Sequence, residues 1–176
     1  MNTPRSSFLP RLQALAAFAL VISLCSTLQA TTYYVATNGN NNNPGSKASP
    51  WKTIERAMDT AGPGDTVYIR GGTYTVNEPI IIDRSGTSSN WLRVMGYPGE
   101  RPVFNGSNLD TSRRQPVIYM RNQQYVLLDN LHINQSRGEG FGVYASQNIT
   151  IQTSSTYLTW RSGIGVWGEA GSNTPS

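Results

Sequence analysis

Apolar residues recur at a fixed interval of 23 through the second half of the chain. One set comprises Ile80, Val103, Val126 and Ile149, with Leu128 and Ile151 repeating the last step. A second set comprises Ile118, Phe141 and Ile164, together with Met120, Val143 and Val166. A period between roughly 20 and 50 residues indicates stacked structural units. Each period holds three short alternating runs separated by turns, which predicts one coil of a parallel β-helix; the Leu/Asn signature of a leucine-rich repeat is absent.

Stacked coils of this kind leave two ends that need to be covered. Alternate residues point inward and lie about 4.8 Å from their equivalents in the next coil, so a coil without a neighbour cannot bury its apolar face. An uncovered end also exposes unpaired strand edges. The stretch 168–176 is polar and turn-like and does not resemble a cap. We therefore expect the solenoid to be C-terminally incomplete, with further coils in a longer protein.

The N-terminal end has a candidate cap. Residues 33–36 and 65–70 alternate like strands, and residues 53–61 have the apolar spacing of a short amphipathic helix. The apolar stripe consists of Ile54, Ala57, Met58 and Ala61. Thr53 is placed to be the N-cap of this helix. A helix of about two turns is marginal by itself, so we expect it to lie on the apolar end of the first coil.

Composition narrows the class of protein. Only 14% of the 176 residues are charged, against roughly 25% in a typical soluble domain. The 17 glycines and the many Asn, Ser and Thr residues favour turns. These proportions exclude a coiled coil or a helical bundle, and the recurring Val, Ile, Leu and Tyr argue against full disorder. The net charge of +4 is scattered without a basic run, so we expect no nucleic-acid partner.

Residues 1–30 have the pattern of a secretory signal peptide. Two arginines accompany an apolar stretch over 12–24, and Ala30 offers a small residue for cleavage. This stretch is shorter than the roughly 20 apolar residues that span a bilayer, which argues against the alternative of an N-terminal anchor. We expect cleavage after Ala30, a secreted or periplasmic location, and no membrane contact afterwards. The single cysteine, Cys25, is lost with the signal peptide, so we expect no disulfide.

These patterns divide the chain into four segments. The signal peptide occupies 1–30, and residues 31–74 hold the N-terminal strand, the capping helix and the first strand of the solenoid. Residues 75–168 are predicted to form coils of about 23 residues, and 169–176 a polar tail.

Several motifs resemble those of known proteins. They are Tyr33-Tyr34-Val35, Asn43-Pro44-Gly45, Pro50-Trp51-Lys52-Thr53-Ile54, the run from Gly62 to Tyr74, Tyr97 to Phe104 and Tyr125 to Ile133. Together they are similar to the start of secreted bacterial right-handed parallel β-helix proteins, closest to the family 9 pectate lyases, with alginate and chondroitin lyases more distant. The resemblance implies an all-β fold, a right-handed single-stranded parallel β-helix or solenoid with a short N-terminal capping helix. These motifs are specific for the fold and weak for the reaction, because they build the cap and the first coils.

The resemblance also implies β-elimination on a uronate polysaccharide. In such a reaction the substrate carboxylate is neutralised, often by Ca²⁺, and a Lys or Arg removes the proton alpha to it. In the family 9 lyases the calcium aspartates and the catalytic lysine lie on later coils. The two lysines of this chain, Lys47 and Lys52, are near the N-terminus, and its acids form no cluster that would hold Ca²⁺. We therefore assign no catalytic residue and no metal ligand, and we expect a monomer whose partner is an anionic plant or algal polysaccharide.

The second repeated set predicts a column on the outer surface, because the residue after each inward position points outward. This candidate substrate-binding column consists of Arg121, Tyr144 and Trp167, one residue per coil. Aromatic faces stack on sugar rings, and an arginine fork grips a carboxylate. Gly142 and Gly165 lie beside the column and are expected to leave room for a ligand. The alternative is an aromatic ladder packed under a loop.

His132 is the single histidine of the chain. Because Leu131 and Ile133 are predicted to point inward, His132 is predicted to face out as a solvated strand residue. The alternative is a proton carrier near neutral pH. Asp129 and Asn130 predict a turn between two strands of one coil.

Three functional hypotheses follow. The leading one is the N-terminal part of a secreted, pectate-lyase-like enzyme that degrades polysaccharide by β-elimination. The second is a non-catalytic carbohydrate-binding or adhesion β-helix. The third is a glycoside hydrolase or uronate epimerase on the same scaffold. A hydrolase needs two suitably spaced carboxylates, and Asp129 and Glu139 are available, but nothing in the sequence pairs them.

Overall fold

The computed structural model describes residues 29–110 and 112–168. Within them the chain forms thirteen β-strands and one short helix, α1 (Ile54–Met58). The strands are β1 (Thr32–Val35), β2 (Thr66–Ile69), β3 (Gly72–Thr75), β4 (Ile80–Ile81), β5 (Leu92–Gly96), β6 (Pro102–Asn105), β7 (Ile118–Arg121), β8 (Gln124–Asp129), β9 (His132–Ser136), β10 (Phe141–Tyr144), β11 (Gln147–Gln152), β12 (Ser155–Thr159) and β13 (Ile164–Trp167). The predicted signal peptide, apart from Gln29 and Ala30, and the predicted polar tail lie outside the described residues.

The strands form three parallel sheets. Sheet 1 has the order β1-β2-β5-β8-β11, sheet 2 has β3-β6-β9-β12, and sheet 3 has β4-β7-β10-β13. Each coil contributes one strand to every sheet, so the four described coils are β2-β3-β4, β5-β6-β7, β8-β9-β10 and β11-β12-β13. The predicted fold, a right-handed parallel β-helix, is confirmed.

The 23-residue spacing holds between the last three coils in sheet 3 and the last two in sheets 1 and 2. The whole second repeated set is in register, and so are Val126 with Ile149 and Leu128 with Ile151. The prediction is wrong for two residues of the first set: Ile80 pairs with Ile118 in sheet 3, 38 residues away, and Val103 pairs with His132 in sheet 2, 29 residues away. Long connections over 82–91 and 106–117 lengthen these intervals, so equal spacing there links residues of different sheets.

The corners of the last two coils repeat with the same interval. Four residues of the third coil or its edges have a positive φ, and so does the residue 23 positions after each. The pairs are Asn122 and Ala145, Tyr125 and Asn148, Asn130 and Thr153, and Gln135 and Leu158. Asparagine tolerates this left-handed conformation well, whereas Ala145 and Leu158 adopt it at an energetic cost. The predicted turn at Asp129–Asn130 is confirmed as the corner between β8 and β9.

The N-terminal end is closed by β1, Trp51 and α1. Thr53 Oγ1 accepts a hydrogen bond from the Arg56 N–H at 3.3 Å, which confirms the N-cap. The helix is shorter than predicted, because the residues after Met58 form turns. Trp51 is 2% exposed, and its indole N–H donates to the Asn43 carbonyl at 2.7 Å. Within the described residues, no helix combines the length and apolarity needed to cross a bilayer.

The apolar core runs from this cap through the third coil. Its inward residues include Val67, Val94 and Leu128 of sheet 1, each 1% exposed or less. Within residues 29–110 and 112–168, nothing covers the outer side of the fourth coil. There Val166 is 70% exposed, although its register partner Val143 is 3% exposed.

Candidate functional site

Sheet 3 carries the predicted surface column. Tyr144 is the register partner of Arg121 in the second coil and of Trp167 in the fourth. Met120 precedes Arg121 and points inward, and Val143 does the same before Tyr144. These two inward residues are 1% and 3% exposed, which confirms the predicted alternation there. The rings of Tyr144 and Trp167 stack, with centroids 4.4 Å apart and planes 9° from parallel. Because neighbouring strands are also about 4.8 Å apart, the stack runs along the axis of the solenoid.

This stacking determines which ring surfaces a ligand can reach. The Tyr119 ring approaches Tyr144 from the second coil, with centroids 5.2 Å apart, and Trp167 approaches it from the fourth. Tyr144 therefore has aromatic neighbours in both directions. Trp167 has Tyr144 as its neighbour on one side, and within the described residues its face toward the open end has no aromatic partner. That face points along the axis toward the position of a next coil, so the part of the stack that faces sideways to solvent is the ring edges.

The space expected beside the two glycines is filled. A Cβ at Gly142 would lie 2.8 Å from Pro116 Cγ and 3.2 Å from Tyr144 Cε2, and a Cβ at Gly165 would overlap the Trp167 ring. The prediction of room for a ligand at these positions is therefore wrong. The glycines instead allow the aromatic rings to lie against the strands. A ligand on this face meets ring edges and exposed cationic side chains.

An ion pair next to the column was missed by sequence reasoning. Glu139, just before β10, has a side chain that is 1% exposed, and the Nε of Arg161 lies 3.2 Å from its Oε1. No hydrogen bond from a described residue reaches either carboxylate oxygen, so charge attraction dominates this contact. The Arg161 side chain is 54% exposed and adds a guanidinium near the column. The sequence carries little signal for the pair, because the two residues belong to successive coils.

The charged pair also acts on the Tyr144 phenol. Burial, and after it the charges of Glu139 and Tyr119, raise the pKa of Tyr144, and Arg161 opposes this effect. The phenol is therefore protonated at neutral pH and can donate a hydrogen bond to a sugar oxygen. The column and Arg161 together offer two guanidinium groups, a phenolic donor and aromatic ring edges.

His132 is covered, so the prediction of a solvated residue is wrong. It lies in register with Val103 and Ser155 and is 7% exposed. Its Nδ1 is 2.8 Å from Ser155 Oγ and its Nε2 is 2.9 Å from Asn130 Oδ1. Burial, and after it the Arg101 charge, lower the pKa of His132 and favour the neutral ring. The prediction of exposure failed because alternation indicates only which face of the strand a side chain lies on. Whether that face is exposed to solvent depends on the next coil and on the corner residues.

The described residues do not fit a calcium site or a hydrolase pair. Over 29–110 and 112–168, no three or more Asp, Glu, His or Cys side chains come close enough to hold a metal ion. Glu139 faces the positive charge of Arg161, which disfavours a cation there. Asp129 ends β8 in sheet 1, whereas Glu139 precedes β10 in sheet 3, so the two carboxylates lie at different corners of the third coil.

Comparison with known families agrees with this fold. Residues 33–175 match the family described as the Pel9A-like, right handed beta helix region. The chain belongs to this family of right-handed parallel β-helix proteins. The resemblance to family 9 pectate lyases is therefore confirmed.

Individual relatives carry related names. The chain is 27% identical over 164 residues to pectate lyase PEL9 of Emericella nidulans, which covers 86% of this chain and 39% of that protein. It is 33% identical over 127 residues to pectate lyase L of Paenibacillus polymyxa, which covers 70% of this chain and 27% of that protein. The chain thus spans less than half the length of these curated relatives.

Two solved structures share the fold. The pectate lyase Pel9A superposes with a TM-score of 0.63 at 24% identity, covering 72% of this chain and 33% of that chain. A rhamnogalacturonan lyase superposes with a TM-score of 0.67 at 20% identity, covering 75% and 38%. At these identities the similarity shows the fold alone.

Proposed function

We propose that this chain is the N-terminal part of a secreted protein that degrades polysaccharide, a pectate-lyase-like enzyme that acts by β-elimination on uronate-containing chains. The observation that carries the proposal is the family match over residues 33–175. The pectate lyases among the relatives support the substrate class, and their greater length supports the assignment as a part.

The fourth coil gives physical support for a longer protein. Ile164 and Val166 are 49% and 70% exposed, although they occupy inward positions of the repeat. Apolar side chains of this size each contribute roughly 1.5–3 kcal/mol when fully buried. A further coil stacked on β11, β12 and β13 would recover this burial and pair the free strand edges.

Within this proposal the sheet 3 column contacts the polysaccharide. Arg121 and Arg161 supply guanidinium groups for uronate carboxylates, since an arginine fork suits a planar carboxylate. Trp167 supplies the edge of its ring, which stays at the surface when a further coil stacks on β13, and the Tyr144 hydroxyl donates a hydrogen bond. We assign the catalytic base to none of these residues.

The reaction is tested on the longer protein that this proposal implies, because no catalytic base is assigned among the present residues. That protein is incubated with pectate, and separately with alginate, in the presence and absence of Ca²⁺. The ultraviolet absorbance of unsaturated chain ends measures β-elimination. A rise in absorbance supports a lyase. Retention on the polymer without any rise supports the second candidate, a non-catalytic carbohydrate-binding β-helix, which the exposed cations and aromatic face of sheet 3 favour. New reducing ends without absorbance would indicate hydrolysis and contradict both.

The binding face is tested with the double substitution Tyr144→Ala and Trp167→Ala. We expect retention on immobilised pectate to weaken about tenfold, because an aromatic contact contributes roughly 0.5–1.5 kcal/mol. The matched control is Tyr157→Ala with Trp160→Ala, which removes an exposed Tyr and an exposed Trp from the fourth coil outside sheet 3. Unchanged retention of a folded Tyr144/Trp167 variant would contradict the assignment of this face.

A further inference from the structure

A polar cleft lies at the closed end of the solenoid, away from the sheet 3 column. It has a volume of about 570 Å³, within the rough range of 300–1,000 Å³ for small-molecule sites. One wall is the loop from Ala36 to Pro50, and the other is formed by the corners that follow β2 and β5. The charged residues in its lining are Lys47, Arg70 and Glu100. Two cations and one carboxylate leave the cleft with one net positive charge.

Arg70 is held in a fixed orientation. Its Nε donates to both Glu100 carboxylate oxygens at 2.9 Å, and its Nη2 donates to Oε1 at 2.6 Å. The Gly71 N–H also donates to Glu100 Oε2 at 2.6 Å. These bonds, led by that from Arg70, lower the pKa of Glu100, so the pair stays charged over a wide pH range. Arg70 lines the cleft, and in the described part of the chain its remaining amino group, Nη1, makes no hydrogen bond, so its N–H groups are available to a ligand.

Lys47 is held in place by Tyr97, which also contacts Arg70. Its Nζ donates to the Tyr97 hydroxyl at 2.7 Å and lies 5.0 Å from the centroid of the same ring. The Arg70 guanidinium lies 4.9 Å from that centroid. Tyr97 in turn packs against Tyr34 and Tyr68, with centroids 6.1 and 5.5 Å away. Both cations are therefore anchored on one aromatic cluster, and Lys47 keeps two N–H groups for a ligand.

The rest of the lining suits a hydroxylated ligand. Thr37, Asn38 and Ser49 contribute polar side chains to the walls, and the exposed lining surface is mainly polar. Such groups pair with hydroxyls, whereas Lys47 and Arg70 pair with a carboxylate through charge-assisted hydrogen bonds. A sugar acid carries both kinds of group on one ring.

We propose that this cleft binds a single uronate residue, with its carboxylate at Lys47 and Arg70 Nη1 and its hydroxyls on the polar wall. The site goes beyond the proposed reaction and the sheet 3 face, because it lies at the other end of the solenoid and contains no residue of the column. It gives the chain a second place to hold an acidic polysaccharide.

The test titrates the full chain with galacturonic acid and follows binding by calorimetry and by amide chemical shifts. Lys47→Met removes the charge of an exposed side chain, and we expect the dissociation constant to rise about tenfold, because a charge-assisted hydrogen bond to the carboxylate is lost. The matched control is Lys52→Met, an equal charge change at an exposed lysine outside the cleft, and we expect no change there. Shift changes should map to residues 36–50 and to Arg70 and Gly71.

Three outcomes would overturn the inference. One is an equal loss of affinity in the two lysine variants. Another is galactose binding as tightly as galacturonic acid, since galactose lacks the carboxylate. The third is acetate binding as tightly, which would make the cleft a plain anion site. The Tyr144/Trp167 double variant separates this inference from the proposed function, because its affinity for galacturonic acid at the cleft should stay unchanged while its retention on pectate weakens about tenfold.

Discussion

At the N-terminal end of the solenoid, Ile54 and Met58 of α1 lie over the first coil and are 3% and 2% exposed, whereas at the other end Ile164 and Val166 are 49% and 70% exposed. All four are apolar residues that their sequence patterns place on the core side. The difference comes from the presence of a covering element, not from the residues themselves. Apolar surface contributes roughly 25 cal/mol per Å² only when it leaves water, so the two ends contribute unequally to stability.

The ion pair at the closed end is better satisfied by hydrogen bonds than the ion pair at the open end. Arg70 and Glu100 join the first and second coils through aligned hydrogen bonds, with a backbone N–H completing the set. Glu139 and Arg161 join the third and fourth coils, and the buried carboxylate there receives no hydrogen bond from the described residues. A buried carboxylate is costly unless it is fully paired. The closed end therefore has a complete polar arrangement, and the open end does not.

The largest expected difference in the free energy of unfolding is between substitutions of a buried and of an exposed tryptophan. Trp51→Ala empties a site at the closed end where the side chain is buried, and we expect a loss of about 3–5 kcal/mol in the free energy of unfolding. Trp160→Ala changes a residue of the fourth coil that is 62% exposed, and we expect a loss below about 1 kcal/mol. Urea denaturation followed by circular dichroism measures both. Equal losses in the two variants would show that the N-terminal cap does not make the closed end more stabilising than the open end.

The most closely matched comparison is between Val143 and Val166, which are register partners in sheet 3. Val143→Ala deletes two buried methyl groups, and we expect a loss of about 2 kcal/mol. Val166→Ala makes the same change one coil later and should cost less than about 0.5 kcal/mol, because this side chain is already exposed. In a longer protein with a further coil, the cost of Val166→Ala should rise toward that of Val143→Ala. If it stays small there, no coil covers Val166.

A smaller effect is expected at a corner of the open coil. Leu158 has a φ of 53° and is 54% exposed, so it adopts a left-handed conformation that suits asparagine or glycine. Leu158→Asn should raise the free energy of unfolding by up to about 1 kcal/mol. Leu158→Ala is the control, because it removes a similar apolar surface and keeps the backbone cost. A gain of the same size in both variants would assign the effect to the side chain instead.

The smallest expected effect is a pH dependence at His132. Its pKa is lowered from 6.5 by burial, so below pH 6.5 the unfolded chain binds a proton that the folded chain does not. The contribution of His132 to stability is therefore complete above about pH 6.5 and is lost as the pH falls through the folded-state pKa. His132→Gln should flatten the stability profile over this window. An NMR titration of the imidazole at or above 6.5 would mean that the fourth coil does not cover the ring.

Much of the fold was predictable, since it rests on local spacing. Phe141 with Ile164 and Val143 with Val166 follow directly from the 23-residue repeat, and Thr53 follows from the preference for a threonine N-cap. The first coils were not predictable in register, because long connections separate Ile80 from its partner Ile118. The column was predictable as outward residues, whereas the cleft at Lys47 was not, because Lys47, Arg70 and Glu100 come from distant parts of the chain.

The sequence by itself determined the solenoid, its inward columns and its N-terminal cap, because alternation, a constant period and capping preferences act over short separations. Tertiary structure alone decided which of the repeated positions are buried, that His132 is covered, and that the rings of Tyr144 and Trp167 stack over glycines. It also decided the pairing of Arg70 with Glu100 and of Glu139 with Arg161. The physical reason is that burial and charge pairing depend on what the neighbouring coil brings, and a neighbour in space is 23 or more residues away in the chain.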